Sequence, residues 1–178
     1  MIILGIDPGS RITGYGVIEL NGNQSSYIDC GYFKLTSADV ALKLQQISLG
    51  IKDIIDRYEP KEAAIEQIFM HHNPSSALKL GQARGAAMAA LTIPVAEYTA
   101  RQVKQSVVGY GAANKEQVQH MIVRLLNIKH KLQADAADAL AIAMCHAHSR
   151  SGLVKLGVKA TRKKRSSWRD YKPQKDTL

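Results

Sequence analysis

Two rhythms of apolar residues alternate along the chain. It opens with short runs broken by turn residues. Residues 2–6 (IILGI) stop at Asp7-Pro8-Gly9, 13–20 (TGYGVIEL) stop at Asn21-Gly22, and 26–35 (SYIDCGYFKL) follow. Runs of this length bounded by such turns predict strands, and Asn-Gly marks a hairpin. The first third therefore reads as an antiparallel meander. From Ala38 to Tyr58 the spacing becomes helical: Leu42, Leu44, Ile47, Ile51, Ile54 and Ile55 mark one apolar face, and Glu59-Pro60 ends it. Residues 62–68 (EAAIEQI) return to a strand, with Glu66 near its carboxyl end.

The second half alternates again. Asn73-Pro74 is a helix start, with an Asn cap and Pro in the first helical position. That helix runs to Leu91 and carries Gly81, Ala83, Gly85, Ala86, Ala87, Ala89 and Ala90, so many small residues that another element is expected to approach closely. A strand is expected at Pro94–Glu97. Thr99 with Gln102, and Asn114 with Gln117, have capping-box spacing and open helices at 100–107 and 115–126, joined through GYGAAN. A last helix is expected from Ala134 to His148. A meander followed by alternating helix and strand and then helices fits an α/β fold: a five-stranded mixed β-sheet flanked by α-helices on both faces. No internal repeat is present.

Length and charge refine the picture. At 178 residues one domain is expected, and with two Phe and one Trp its core must be aliphatic. Cys30 and Cys145 lie in apolar segments and read as buried thiols. The amino terminus has no basic stretch before its short apolar run, so no signal peptide is expected. No stretch nears the roughly 20 apolar residues of a membrane span. A reducing cytoplasm is the expected location. The net charge of +9 is uneven: residues 151–178 hold nine basic residues against two Asp, whereas 1–150 hold fifteen against thirteen acids. This divides the chain into a folded domain, 1–150, and a basic tail, 151–178, expected to be flexible. Between Lys79 and Lys131, eight basic residues face only Glu97 and Glu116, which points to a polyanionic partner.

The chemistry lies in the acids. Asp7 ends the first strand and Glu66 nears the end of the fourth. In open α/β sheets ligands gather at the carboxyl ends of parallel strands. If these two strands are parallel neighbours, the acids sit side by side. Asp135 and Asp138 are three apart on one helix and share a face that can close over the same strand ends. Four clustered carboxylates cannot all ionise cheaply without a counter-charge. A hard divalent cation supplies one, and oxygen ligands suit Mg2+. Two such ions about 4 Å apart can activate a water and stabilise the leaving oxygen of a phosphodiester. Asp-Pro-Gly is also a common turn, and acids at a helix start also favour its dipole. The joint placement in three segments is what favours a site.

The segments GIDPGSRITGYGVI, AIEQIFM, SALKLGQARG, RQVKQSVVGYGAANKEQVQHM and QADAADALAIA closely resemble the RuvC type of Holliday-junction resolvase, in order over residues 2–148. The resemblance implies a ribonuclease-H-like fold and a homodimer. It implies symmetric nicking of two like-polarity strands at a four-way DNA junction, leaving 5′-phosphate and 3′-hydroxyl ends. Catalysis and metal binding would fall to Asp7, Glu66, Asp135 and Asp138, with two Mg2+ ions per site and Mn2+ as a substitute. Phe69 matches a phenylalanine that stacks on a base near the branch point, and Lys104 and Lys115 match basic positions near the active site. Arg101 and Arg84 are further DNA-binding candidates. The implied partners are a branch-migration complex, a junction-binding protein and its hexameric helicase motor. A C2 dimer has the two equivalent sites that two equivalent cuts need, and helix 74–91 is its candidate interface.

Two other classes compete. An actin-like or sugar-kinase ATPase also starts from an Asp-x-Gly strand end, but it needs a second nucleotide-binding half for which 178 residues leave no room. A non-catalytic DNA-binding module gains nothing from burying four acids beside a polyanion. His71-His72 reads as an exposed or DNA-facing loop, the other histidines as structural or exposed, and zinc spacing is absent.

Overall fold

The computed structural model describes residues 1–68 and 74–152. The Asn73 cap, His71 and His72, and the tail from residue 153 onwards lie outside them. Strands β1 (Ile2–Asp7), β2 (Ile12–Asn21) and β3 (Gln24–Lys34) form the expected meander. The β2–β3 turn is Gly22-Asn23, and Gly22 takes φ +58°, a conformation that suits glycine. Helix α1 (Val40–Tyr58) leads to β4 (Glu62–Glu66), α2 (Pro74–Ala90) to β5 (Val95–Tyr98), and α3 (Ala100–Val108), α4 (Lys115–Leu125) and α5 (Ala134–Arg150) follow. The sheet order is β3-β2-β1-β4-β5. The first two pairs are antiparallel, whereas β1–β4 and β4–β5 are parallel.

Local chemistry accounts for the helix ends. Asp39 caps α1 by accepting from the amides of Ala41 (2.7 Å) and Leu42 (3.4 Å). Both expected capping boxes form. Thr99 and Gln102 bond reciprocally at 3.1 and 2.8 Å, and Asn114 and Gln117 at 2.8 and 2.9 Å. Helix α5 runs one turn's fraction beyond His148, because Arg150 pairs with Glu62 at 2.7 Å and Ser151 bonds the carbonyl of Ala147. In α1, Ile47, Ile51 and Ile54 are buried as expected, but Leu42 is 50% exposed. At 3.6 residues per turn it lies roughly 140° round the helix from Ile47, off the buried stripe.

The sheet separates two cores. One is packed by α1 and α2 around Leu4, Ile6, Val17, Ile65 and Ile51. The other is packed by α3, α4 and α5 around Ile3, Ile18, Leu140 and Ile142. Cys145 is buried in the second and Cys30 is half-buried at its edge; both are free thiols. Among the described residues no helix is long and apolar enough to cross a membrane. The small residues of α2 serve only in part as expected. Ala83, Ala87 and Ala90 pack against the α1 side, where Ser48 of α1 bonds the carbonyl of Ala86, but Gly81 and Gly85 face open space.

Helix α5 lies against β1 and β2 with almost nothing between. A Cβ on Gly5 would stand 2.1 Å from the carbonyl oxygen of Ala139, and one on Gly14 would stand 2.1 Å from that of Asp135. A Cβ on Gly16 would stand 2.7 Å from the amide nitrogen of Leu140. Backbone cannot yield cheaply at such distances. The expected result is that Gly16→Ala lowers stability by about 1–3 kcal/mol through overpacking. Gly85→Ala, which meets no atom within 4 Å, raises it by about 0.5–1 kcal/mol through helix propensity. Denaturant midpoints measure both, and equal shifts of one sign would contradict this account of the α5 seat.

Candidate active site

The parallel pairing of β1 with β4 sets the first two acids. Ile6 pairs with Ile65, so Asp7 and Glu66 follow side by side at the strands' carboxyl ends. Ala63, Ala64 and Ile65 are all buried, Ala64 in the core under α3–α5 and the other two in the core under α1 and α2, so β4 is covered on both faces. The loop after Asp7 is braced by the buried Thr13. Its hydroxyl donates to the carbonyl of Gly9 at 3.2 Å and accepts from the Gly9 amide at 3.4 Å. Gly9 is needed there, because a Cβ would fall 2.1 Å from the carbonyl oxygen of Ile12.

The other two acids arrive on α5. Gln133 caps this helix, its side-chain oxygen accepting from the amides of Asp135 (2.8 Å) and Ala136 (3.1 Å). Its amide nitrogen donates to the Asp135 carboxylate. Because α5 rests directly on Gly14 and Gly16, its first turn hangs over the end of β1. All four expected acids are thus brought together. Asp7 is pushed up to about 7, first by burial and then by the charges of Asp138, Glu66 and Asp135, with Lys115 opposing. Glu66 is raised by burial and by Asp138, against the pull of Lys104 and Lys115. Asp138 is raised by burial, although Lys115 pairs with it at 2.6 Å.

Among the described residues no three acids or imidazoles close on one point. They line an open cleft instead. A cavity of about 390 Å³ is bordered by Asp7, Pro8, Gly9, Glu66 and Leu80. A second, of about 220 Å³, is bordered by Glu66, Lys104, Lys115 and Asp138. This donor set fits a hard divalent cation: it is all oxygen, its charges repel, and an ammonium already stands against one member.

The basic candidates divide. Lys104 and Lys115 stand at the site. Arg101 is exposed, and its stem packs over Gly111 of the α3–α4 loop, where a Cβ would approach its Cγ to 2.5 Å. Arg84 turns inward, donating to the carbonyl of Glu66 at 3.1 Å and pairing with Glu97 at 2.5 Å. Phe69 lies outside the described residues. Sequence reasoning missed Gly5, Gly14 and Gly16 as the seat of α5, and missed Gln133 and Thr13. Alternate glycines in β1 and β2 were the available signal, since glycine inside a strand marks close backbone approach.

The fold is ribonuclease-H-like, with the four acids gathered at the carboxyl ends of its parallel strands. The family model "Crossover junction endodeoxyribonuclease RuvC" matches residues 3–146. The RuvC of Acinetobacter baylyi is 58% identical over 160 residues, covering 88% of each chain. That of Legionella pneumophila strain Lens is 58% identical over 170 residues, covering 92% of this chain and 97% of that one. The solved Thermus thermophilus RuvC superposes with a TM-score of 0.76 both alone and in complex with Holliday junction substrate, at 32% and 29% identity, covering 85% of this chain and 97% of that one. The chain belongs to the RuvC family of crossover junction endodeoxyribonucleases. Membership in this nuclease family implies use of a divalent metal.

Without bound metal, the acid cluster should govern stability against pH. Asp7 binds its proton more tightly folded, at about 7, than at its ordinary value of 3.8. Folding is therefore favoured at low pH and loses that advantage as pH rises from about 4 through 7. Glu66 and Asp138 act in the same direction. In chelator, the unfolding midpoint at pH 8 should fall below its trend from pH 4, and Asp7→Asn should narrow the gap. The same gap in both proteins would contradict the buried-cluster account.

Proposed function

We propose that the chain resolves four-way DNA junctions by Mg2+-dependent hydrolysis, with Asp7, Glu66, Asp135 and Asp138 as the catalytic and metal-binding acids. The supporting observation is the convergence of three segments on Asp7, whose ionisation is opposed by three neighbouring carboxylates. A binder of polyanions has no use for such a cluster, because it repels phosphate.

Magnesium, with Mn2+ as a substitute and two ions per site, would neutralise the acids and stabilise charge on the scissile phosphodiester. The chain's own groups do the rest. Asp7 and Glu66, fixed on neighbouring strand ends, give a rigid floor. Gln133 orients Asp135. Lys104 and Lys115 border the cleft and attract the phosphate as it gains charge. Phe69 stacks on a base, and the exposed Arg101 adds a backbone contact.

The working unit is a homodimer acting in the cytoplasm, receiving junctions from the branch-migration complex of junction-binding protein and hexameric motor. Helices α1 and α2 carry the features of its interface. Leu42, Leu49 and Leu78 are 50%, 58% and 64% exposed, apolar area that a partner copy would cover. A two-fold axis gives paired nicks on like-polarity strands.

Asp7→Asn should abolish nicking of a synthetic mobile junction in Mg2+ while retaining junction binding. Full activity in that variant would overturn the assignment. Truncation after Gly152 leaves α5 intact and removes the basic tail. It should weaken junction affinity with little change in cutting at saturating protein. Unchanged affinity at low salt would remove the tail from the DNA-binding surface.

A further inference from the structure

Beside the acid cleft lies a second cavity, of about 250 Å³, between the start of α1, the exposed side of α2 and the loop after Asp7. Arg11, Lys43 and Lys79 stand around it, Ser10 and Gln82 supply uncharged polar groups, and Ile47 is buried beneath. No acid lines it. The neighbouring Asp39 directs its carboxylate to the α1 amides. Among the described residues none of the three cations is paired with an acid, whereas Arg57, Arg84, Lys115 and Arg150 all are. Three unpaired cations around one concavity repel one another and favour an anion between them.

The position identifies the anion. Pro8 and Gly9 border the acid cleft, and the next two residues, Ser10 and Arg11, border this cavity. Likewise Leu80 faces the cleft while Lys79 faces the cavity. The two concavities therefore run on from one another across a single loop and a single helical turn. We propose that this groove binds the sugar–phosphate backbone of the junction, with Arg11, Lys43 and Lys79 holding phosphates beside the cleavage site. This rests on the junction-cutting reading above. The partner copy of the proposed homodimer, which would lie on the exposed leucines of α1 and α2, is a poor occupant of the groove itself, since a two-fold contact inside it would set like charges against like. A small apolar ligand is poorer still, because nothing balances the charge.

Phosphate contacts leave a salt signature: log affinity against log salt loses about 0.9 of slope per contact removed on duplex DNA. The test measures junction binding by Arg11→Gln, Lys43→Gln and Lys79→Gln, singly and together, in Ca2+ to prevent cutting, across a salt series. Each single variant should make the slope shallower by about 0.9, and the triple variant by up to about 2.7. Unchanged slopes in all variants, with wild-type protein binding and nicking normally in Mg2+, would overturn the groove and leave the nuclease reading standing. Wild-type protein that does not nick would instead overturn that reading. Sedimentation closes the remaining route: a triple variant that changes oligomeric state would show the groove to be a subunit contact and overturn the proposal. If the triple variant does not fold, the three singles decide alone.

Discussion

One close approach governs the rest of the structure: the backbone of α5 lies on β1 and β2 where Gly5, Gly14 and Gly16 have no side chains. A helix usually rides on a sheet at the distance that the side chains between them impose. Here the carbonyls of Ala139 and Asp135 come down onto the strands themselves. The loss of side-chain burial at three strand positions weakens β1 and β2 locally, since interior glycine disfavours a strand. What the molecule gains is position. The first turn of α5 projects over the carboxyl end of β1, and Asp135 and Asp138 meet Asp7 and Glu66 there.

That meeting is electrostatically unfavourable in the protein alone. Asp7 is opposed by burial and by three like charges, and two lysines from separate helices relieve only part of the strain. Folding must therefore hold the acids together by apolar means. The two cores do so from both faces of the sheet, with Ile6 and Ile65 fully buried next to the acids on the strands that carry them. Rigidity is the consequence. A carboxylate on a strand end between two packed layers cannot swing away from its neighbours, so the relief must come from an added positive charge. The Lys115–Asp138 pair shows the local form of that relief.

The sequence made the elements legible because its signals were local. Both capping boxes, the Glu59-Pro60 stop and the hairpin turn are decided within a few residues, and all appear in the fold. The acids were legible because strand ends and a shared helix face are also local facts. What stayed hidden was long-range. Leu42 has an apolar side chain but the wrong angle, and only the position of the sheet shows which stripe of α1 is covered. Arg84 counts as one more positive charge in the chain, yet its guanidinium ties α2 to the carbonyl of Glu66 and to Glu97. The glycines of β1 and β2 look like weak strand residues until α5 is laid on them.

Arg84 and the cations around the α1–α2 groove also show why net charge is a poor guide to a binding surface. Charge that is paired within the fold has already met its counter-ion, and a phosphate must displace an acid to use it. Arg57, Arg84 and Arg150 are of that kind. Unpaired cations on a concave wall are different, because their mutual repulsion is relieved only by something that arrives. The excess of basic over acidic residues in the first 150 is small, so a strong field cannot come from the total. It comes from placement: acids gathered at strand ends, and cations left without acid partners, among the described residues, around the α1–α2 groove. On the proposed reading the two charge patterns are halves of one arrangement, since an acidic pocket admits a phosphodiester more readily when its surroundings draw the rest of the strand towards it.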